Sequence, residues 1–157
     1  MTGPRVVVVM PAYNAERTLR RTLDDALSAQ VADRFLEALD GQHSYFTSAD
    51  LADFARWRTR FDDMIRTGQI EPAYLIFARF QQRNRERLRY AIAQLQNEPA
   101  WTLEERYELD RDQAPWPRGA PELDELWRQK VKSDGLSLVL TGKSWSEAAD
   151  ILRKRYE

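Results

Sequence analysis

Apolar residues recur at helical spacing along most of the chain, and the breaks in that recurrence divide it into segments. Leu23, Leu27, Val31, Phe35 and Leu39, with Leu36 beside them, mark one face of a long amphipathic helix whose other face is charged. Asp40-Gly41 stops that helix, and Gly41 is expected in the left-handed conformation, where a missing Cβ avoids a clash. Thr47 with Asp50 three residues on has the spacing of a capping box. It predicts a second helix over about 48–67 with a core stripe of Leu51, Phe54, Phe61, Met64 and Ile65, closed by Gly68. Pro72 opens a third helix, where its missing N–H costs nothing. Tyr74, Phe77, Ala78 and Phe80 lie early in it, and Leu88, Ala91, Ile92 and Leu95 lie late. Between them, residues 81–87 (QQRNRER) carry no apolar side chain for two turns, so the helix is expected to cross open solvent or a partner surface there.

Residues 97–120 lose the period. Pro99, Pro115 and Pro117 block regular helix, while Trp101, Tyr107 and Trp116 are too apolar to leave bare, so this stretch is predicted to be an ordered strap over the helices. Pro121 and Glu122 open a fourth helix with Leu123, Leu126, Trp127 and Val131 inward, weakened at Gly135 and ended at Thr141-Gly142. Ser144 and Glu147 repeat the capping-box spacing ahead of a last helix carrying Ala148, Ile151, Leu152 and Tyr156. At the other end, residues 6–10 (VVVVM) form a β-branched run stopped by Pro11, which predicts a short strand or arm, with Asn14 as the N-cap of the helix after it. The expected fold is mainly α: an irregular bundle of about five helices with a proline- and tryptophan-rich strap and a short N-terminal strand or arm. Residues 1–21 are assigned to the arm and 22–157 to the helical domain.

Composition narrows the chemistry. A chain of 157 residues suits one domain with its own core, and 43% apolar with 31% charged residues is ordinary for a soluble protein. A net charge of -1 gives no reason to expect nucleic acid or an anionic membrane as partner. Cysteine is absent, which excludes thiol catalysis, disulfides and cysteine-based zinc sites. No apolar run approaches the ~20 residues of a membrane span, and Pro11 with Glu16 and Arg17 argues against reading residues 5–10 as an export signal.

Candidate reactive groups are few. The only histidine, His43, lies in a turn beside Ser44, where adjacent residues make a poor nucleophile–base pair; a turn-packing role is expected. Lys143 and Ser144 read as a helix cap. Asp24-Asp25 and Asp62-Asp63 sit in helical patterns, where neighbours point about 100° apart and do not converge on one cation. Trp57 among Arg56, Arg58 and Arg60 reads as a core-edge ring rather than a base-stacking site. With no phosphate-binding glycine loop, no cofactor and no metal are expected.

Two resemblances rest on particular strings. VVVVMPAYNAERTLRRTL resembles the opening strand and first helix of a family 2 glycosyltransferase, and would carry over Pro11, Ala12 and Tyr13 as nucleotide-sugar contacts. It stops after about the first two dozen residues, and the acidic motifs that such a transferase needs are absent beyond it. A broader resemblance rests on LDDALSAQVADRFLEALDGQHSYFTSADL, RNRERLRYAIAQL, YELDRDQAPWPRGAPELDELWRQKVKSD and LSLVLTGKSWSEAADILRKRY. These strings, over about 23–156, resemble the N-terminal helical domain of the tail-specific (Prc-type) carboxyl-terminal processing proteases.

That resemblance implies a non-catalytic domain that precedes PDZ-like and serine–lysine protease domains absent from these 157 residues. It implies a periplasmic setting and proteolysis of proteins with apolar carboxyl termini. The function expected here is scaffolding and docking of protein partners, namely the protease domains, an adaptor or a substrate. The candidate docking surface is Arg79, Arg83 and Arg87 on the polar stretch of residues 79–89, together with Trp101 and Trp116. The alternatives are a truncated glycosyltransferase and a free-standing helical interaction module.

Overall fold

A computed structural model describes residues 13–157 apart from Leu103, with side chains described outside residues 13–24, 65 and 66. The strand expected at 6–10, Pro11 and Ala12 lie outside the described residues, as do the side chains of Tyr13, Leu23, Asp24 and Ile65. The chain is mainly helical. Among the described residues there are six α-helices: α1 (Tyr13–Asp40), α2 (Ser48–Phe54), α3 (Phe61–Thr67), α4 (Glu71–Gln94), α5 (Ala120–Val139) and α6 (Trp145–Tyr156). None of them is long and apolar enough to cross a membrane.

The helices enclose two apolar cores. The first gathers Ala32, Phe46, Phe54, Phe61 and Ile76 from the α1 to α4 part of the chain. The second gathers Ala91, Leu95, Leu123, Leu126, Trp127, Val131, Leu152 and Tyr156 from α4, α5 and α6. Helix α4 belongs to both: Ile76 and Phe80 serve the first, Ala91 and, just past its end, Leu95 the second. Its 24 residues span about 36 Å, enough to bridge two clusters. This corrects part of the expectation for residues 81–87: Gln81, Gln82 and Arg85 are exposed, but the stretch does not cross open solvent as a whole. The apolar gap in the pattern is the seam between two cores, and Arg83 and Arg87 turn inward to carboxylates there.

Four local expectations need correction. The predicted helix over 48–67 is broken into α2, a 3-10 turn (Ala55–Trp57) and α3. The break is held from α1: the buried Ser28 hydroxyl donates to the Arg58 carbonyl (3.1 Å) and accepts from the Phe61 N–H (2.6 Å), which caps α3 from outside its own sequence. At the end of α1 the left-handed residue is His43 (φ 47°), not Gly41. The Asp40 carboxylate explains the difference, because it accepts from the N–H groups of Ser44 (2.7 Å), Tyr45 (2.9 Å) and Phe46 (2.8 Å) and winds the turn around itself. Helix α1 begins at Tyr13, so Asn14 lies in its first turn rather than at its cap. Leu27 is 55% exposed, whereas the small Ser28 and Ala32 face inward and let α1 lie close against α3.

Other local signals hold. Both capping boxes form, Thr47 with Asp50 and Ser144 with Glu147. Gly68 takes a left-handed φ of 70° past α3. The strap crosses the helices and is tied down at Ser48 N–H to the Pro117 carbonyl (2.9 Å), and by Glu105 to Arg128 and Lys132 (both 2.6 Å). Those two cations draw the Glu105 carboxyl down to about 2.

Gly135 is more than a weak point in α5. A Cβ placed there would lie 2.7 Å from Cζ3 of Trp145, whose ring is backed edge-on by Trp101 at 5.8 Å. The glycine is the notch that receives α6. Helix propensity alone makes Gly135→Ala stabilising by about 1 kcal/mol. The clash reverses that sign, with an expected net loss of about 1–2 kcal/mol in urea unfolding. In the background Trp145→Leu, which empties the notch, the same substitution becomes neutral or stabilising.

Candidate functional site

Among the described residues, a dense polar arrangement is built around Asp50, in the first turn of α2 and 1% exposed. Its Oδ2 closes the capping box by accepting from the Thr47 N–H (3.0 Å) and hydroxyl (2.9 Å). The same carboxylate takes a two-pronged contact from Arg83 (2.9 and 3.0 Å) and one from Arg79 (2.7 Å), both on α4. Burial alone would raise the Asp50 carboxyl. The Arg83 guanidinium and the Thr47 donors outweigh it and hold the group below its ordinary range. Arg83 also reaches Glu86 (3.1 Å), and Arg87, buried, pairs with Asp124 of α5 and lies over the Tyr90 ring.

A second arrangement surrounds the turn after α1. His43 stacks on Trp116 with ring centroids 3.8 Å apart. Its Nδ1 meets the Ala114 carbonyl at 2.5 Å and its Nε2 faces Glu37 at 3.4 Å. The Ser44 carbonyl accepts from the Trp127 indole N–H (2.6 Å), so this turn joins the two cores. Asp40 beneath it is pushed up by burial, and the turn N–H groups offset that only in part. Both ring nitrogens of His43 face groups other than Ser44, and the Ser44 hydroxyl reaches Asp40 at 3.5 Å. The Ser144 hydroxyl is held by Glu147 in its capping box. These groups are arranged to hold turns and caps.

The residues singled out from the sequence are divided by the structure. Arg79, Arg83 and Arg87 point from α4 to carboxylates of the domain itself. Trp116 packs on the first core against Phe46 (6.1 Å). Trp101 lies apart from it, against Trp145, with its indole N–H on Glu98 (2.7 Å). Trp57 is half-buried beside Phe54, with the Arg56 guanidinium 4.2 Å above its ring. Pro11 and Ala12 are outside the described residues, and Tyr13 is the first residue of α1. Missed from the sequence was the outward side of α4, where Ile70 just ahead of the helix, then Tyr74 (65% exposed), Leu75 and Phe77, present apolar surface. The signal was available: these residues precede the arginines on the same helix and exceed what the first core takes up.

A family model described as the tail-specific protease N-terminal domain matches residues 12–157. The chain belongs to that family. A tail-specific protease from Haemophilus influenzae is 33% identical over 135 residues, covering 85% of this chain and 19% of that protein. The chain therefore spans about a fifth of the length of that curated relative. The family match also takes in residues 12–21, part of the stretch that resembles a glycosyltransferase opening. As a tail-specific protease N-terminal domain, the chain turns Arg79, Arg83 and Arg87 of α4 to its own carboxylates and leaves apolar side chains of α4 outside.

Proposed function

We propose that this domain is a non-catalytic docking domain of a tail-specific peptidase, seating the peptidase portion in a periplasmic setting. Membership of the N-terminal domain family across residues 12–157 carries the reading. Two further observations support it. The polar side chains of both sequence-selected serine sites hold caps and turns rather than a nucleophile–base pair. The apolar side chains of Ile70, Tyr74, Leu75 and Phe77 leave a surface of the kind that a partner covers. Arg85 and Arg89 continue that outward side as a basic extension.

The test mixes this chain with the remaining portion of the Haemophilus influenzae relative, expressed separately, and tracks complex formation by analytical ultracentrifugation. A complex is expected, weakened about tenfold or more by Tyr74→Asp. Absence of a complex, or hydrolysis of a fluorogenic peptide by the isolated chain, would overturn the reading.

A further inference from the structure

Helix α4 carries five arginines, and the fold uses three of them. Arg79, Arg83 and Arg87 pair with carboxylates of the domain. Among the described residues, Arg85 and Arg89 are exposed and in no ion pair, and so is Glu71 in the first turn of the helix. Glu71 and Arg85 belong to one line. Glu71, Tyr74, Ala78, Gln81 and Arg85 follow one another at steps of three, four, three and four residues, and all five are exposed. That stepping is the seam of a helix that packs on a second helix. Among the described residues nothing covers it: Tyr74 is 65% exposed and Leu75, beside it, 49%.

The order of the charges along the seam selects the occupant. Ala78 is the midpoint, seven residues from Glu71 and seven from Arg85. Two copies of α4 that run antiparallel and cross at Ala78 therefore set Glu71 of each against Arg85 of the other. One twofold operation makes both ion pairs, as in an isologous contact. A parallel pair would set Glu71 on Glu71 and Arg85 on Arg85, which like charge disfavours. The small side chain at the crossing lets the helix axes approach to about 8 Å. The same operation lays Tyr74 against Gln82 and Leu75 against Gln81, so the apolar side chains are covered by the glutamine stems. The seam from Glu71 to Arg85 is about 21 Å long. That is short of what an obligate dimer buries, so the pairing is reversible, with a Kd on the order of 10 µM.

We propose that α4 is a self-association surface: two copies of this domain pair antiparallel about Ala78, with Glu71 and Arg85 matched across the twofold axis. The pairing goes beyond the docking reading. It shares Tyr74 with that reading, but its test uses this chain alone, so each fails independently of the other. Sedimentation velocity follows the full chain across about 1–500 µM for the parent, for Glu71→Arg, for Arg85→Glu and for an equimolar mixture of the two variants. Both positions are exposed, so the reversals leave the fold intact, which far-ultraviolet circular dichroism checks.

The parent is expected to pass from monomer to dimer as concentration rises. Each reversal creates two like-charge pairs in a dimer of identical copies and is expected to weaken it about tenfold or more. A mixed dimer of the two variants regains two opposite-charge pairs, so the mixture is expected to dimerise within about threefold of the parent. A parent that stays monomeric across the range overturns the proposal. A dimer indifferent to either reversal overturns α4 as its seat. Two variants that do not rescue each other overturn the antiparallel register.

Discussion

Replacing Asp50 with alanine is expected to lower stability by about 3–5 kcal/mol, because it removes the buried carboxylate shared by Arg83 and Arg79 and opens a helix cap in one step. In a chain of 157 residues that corresponds to a fall in Tm of about 6–20 °C by calorimetry. Asp50→Asn retains an acceptor for Thr47 and loses less. The double variant Asp50→Leu/Arg83→Leu recovers part of the loss, since Arg83 is then not left facing an apolar side chain and the half-exposed Arg79 can turn to solvent. The pH dependence has a defined sign. Asp50 ionises in the folded chain below its ordinary 3.8, so its contribution is complete above that value and disappears as pH falls through the lower folded value. Asp40 acts in the opposite sense: burial raises it, so its ionisation on the way up from pH 3.8 weakens the fold. Acid titration of Asp50→Ala is therefore expected to show a shallower loss of stability below pH 4 than the parent.

Trp127→Ala is the second large effect, at about 3–5 kcal/mol in urea unfolding. The ring is 1% exposed, meets Tyr45 (5.5 Å) and Tyr156 (6.4 Å) edge-on, and donates to the Ser44 carbonyl at 2.6 Å. The loss combines a cavity in the second core with a carbonyl left without its donor. Trp127→Phe separates the two: it keeps an aromatic filler and removes the N–H, with an expected cost of about 1–3 kcal/mol. Leu140→Ala, at a side chain 78% exposed, serves as the near-neutral comparison.

The helices and caps were legible because their signals are local. Thr47 with Asp50, and Ser144 with Glu147, carry both halves of a cap within four residues. Pro72 near the start of α4 and Gly68 past α3 are equally self-contained. The break between α2 and α3 was not legible. Phe54, Phe61 and Met64 keep helical spacing across it, and the hydroxyl that ends the run belongs to Ser28, 33 residues from Phe61. Gly41 was the sensible choice for a left-handed residue. Nothing near it shows that Asp40 would turn its carboxylate forward and move that role to His43.

The candidate site was legible in part. The arginines of α4 stand out because two turns lack an apolar residue, but their partners, Asp50 and Asp124, are far off in sequence. Asp50 was readable as a cap and not as an ion-pair acceptor, since one local role already accounted for it.

The turn after α1 has a consequence for the growing chain. Its Ser44 carbonyl waits for Trp127, 83 residues later, and its His43 ring waits for Ala114, 71 residues later. At about 5–20 residues per second, a ribosome needs about 4–17 s to deliver that tryptophan. Through that interval Asp40 and Phe46 have their immediate neighbours but no cover from α5 or the strap. The first four helices leave the tunnel as an unclosed half, and the domain becomes protected only when its last third arrives.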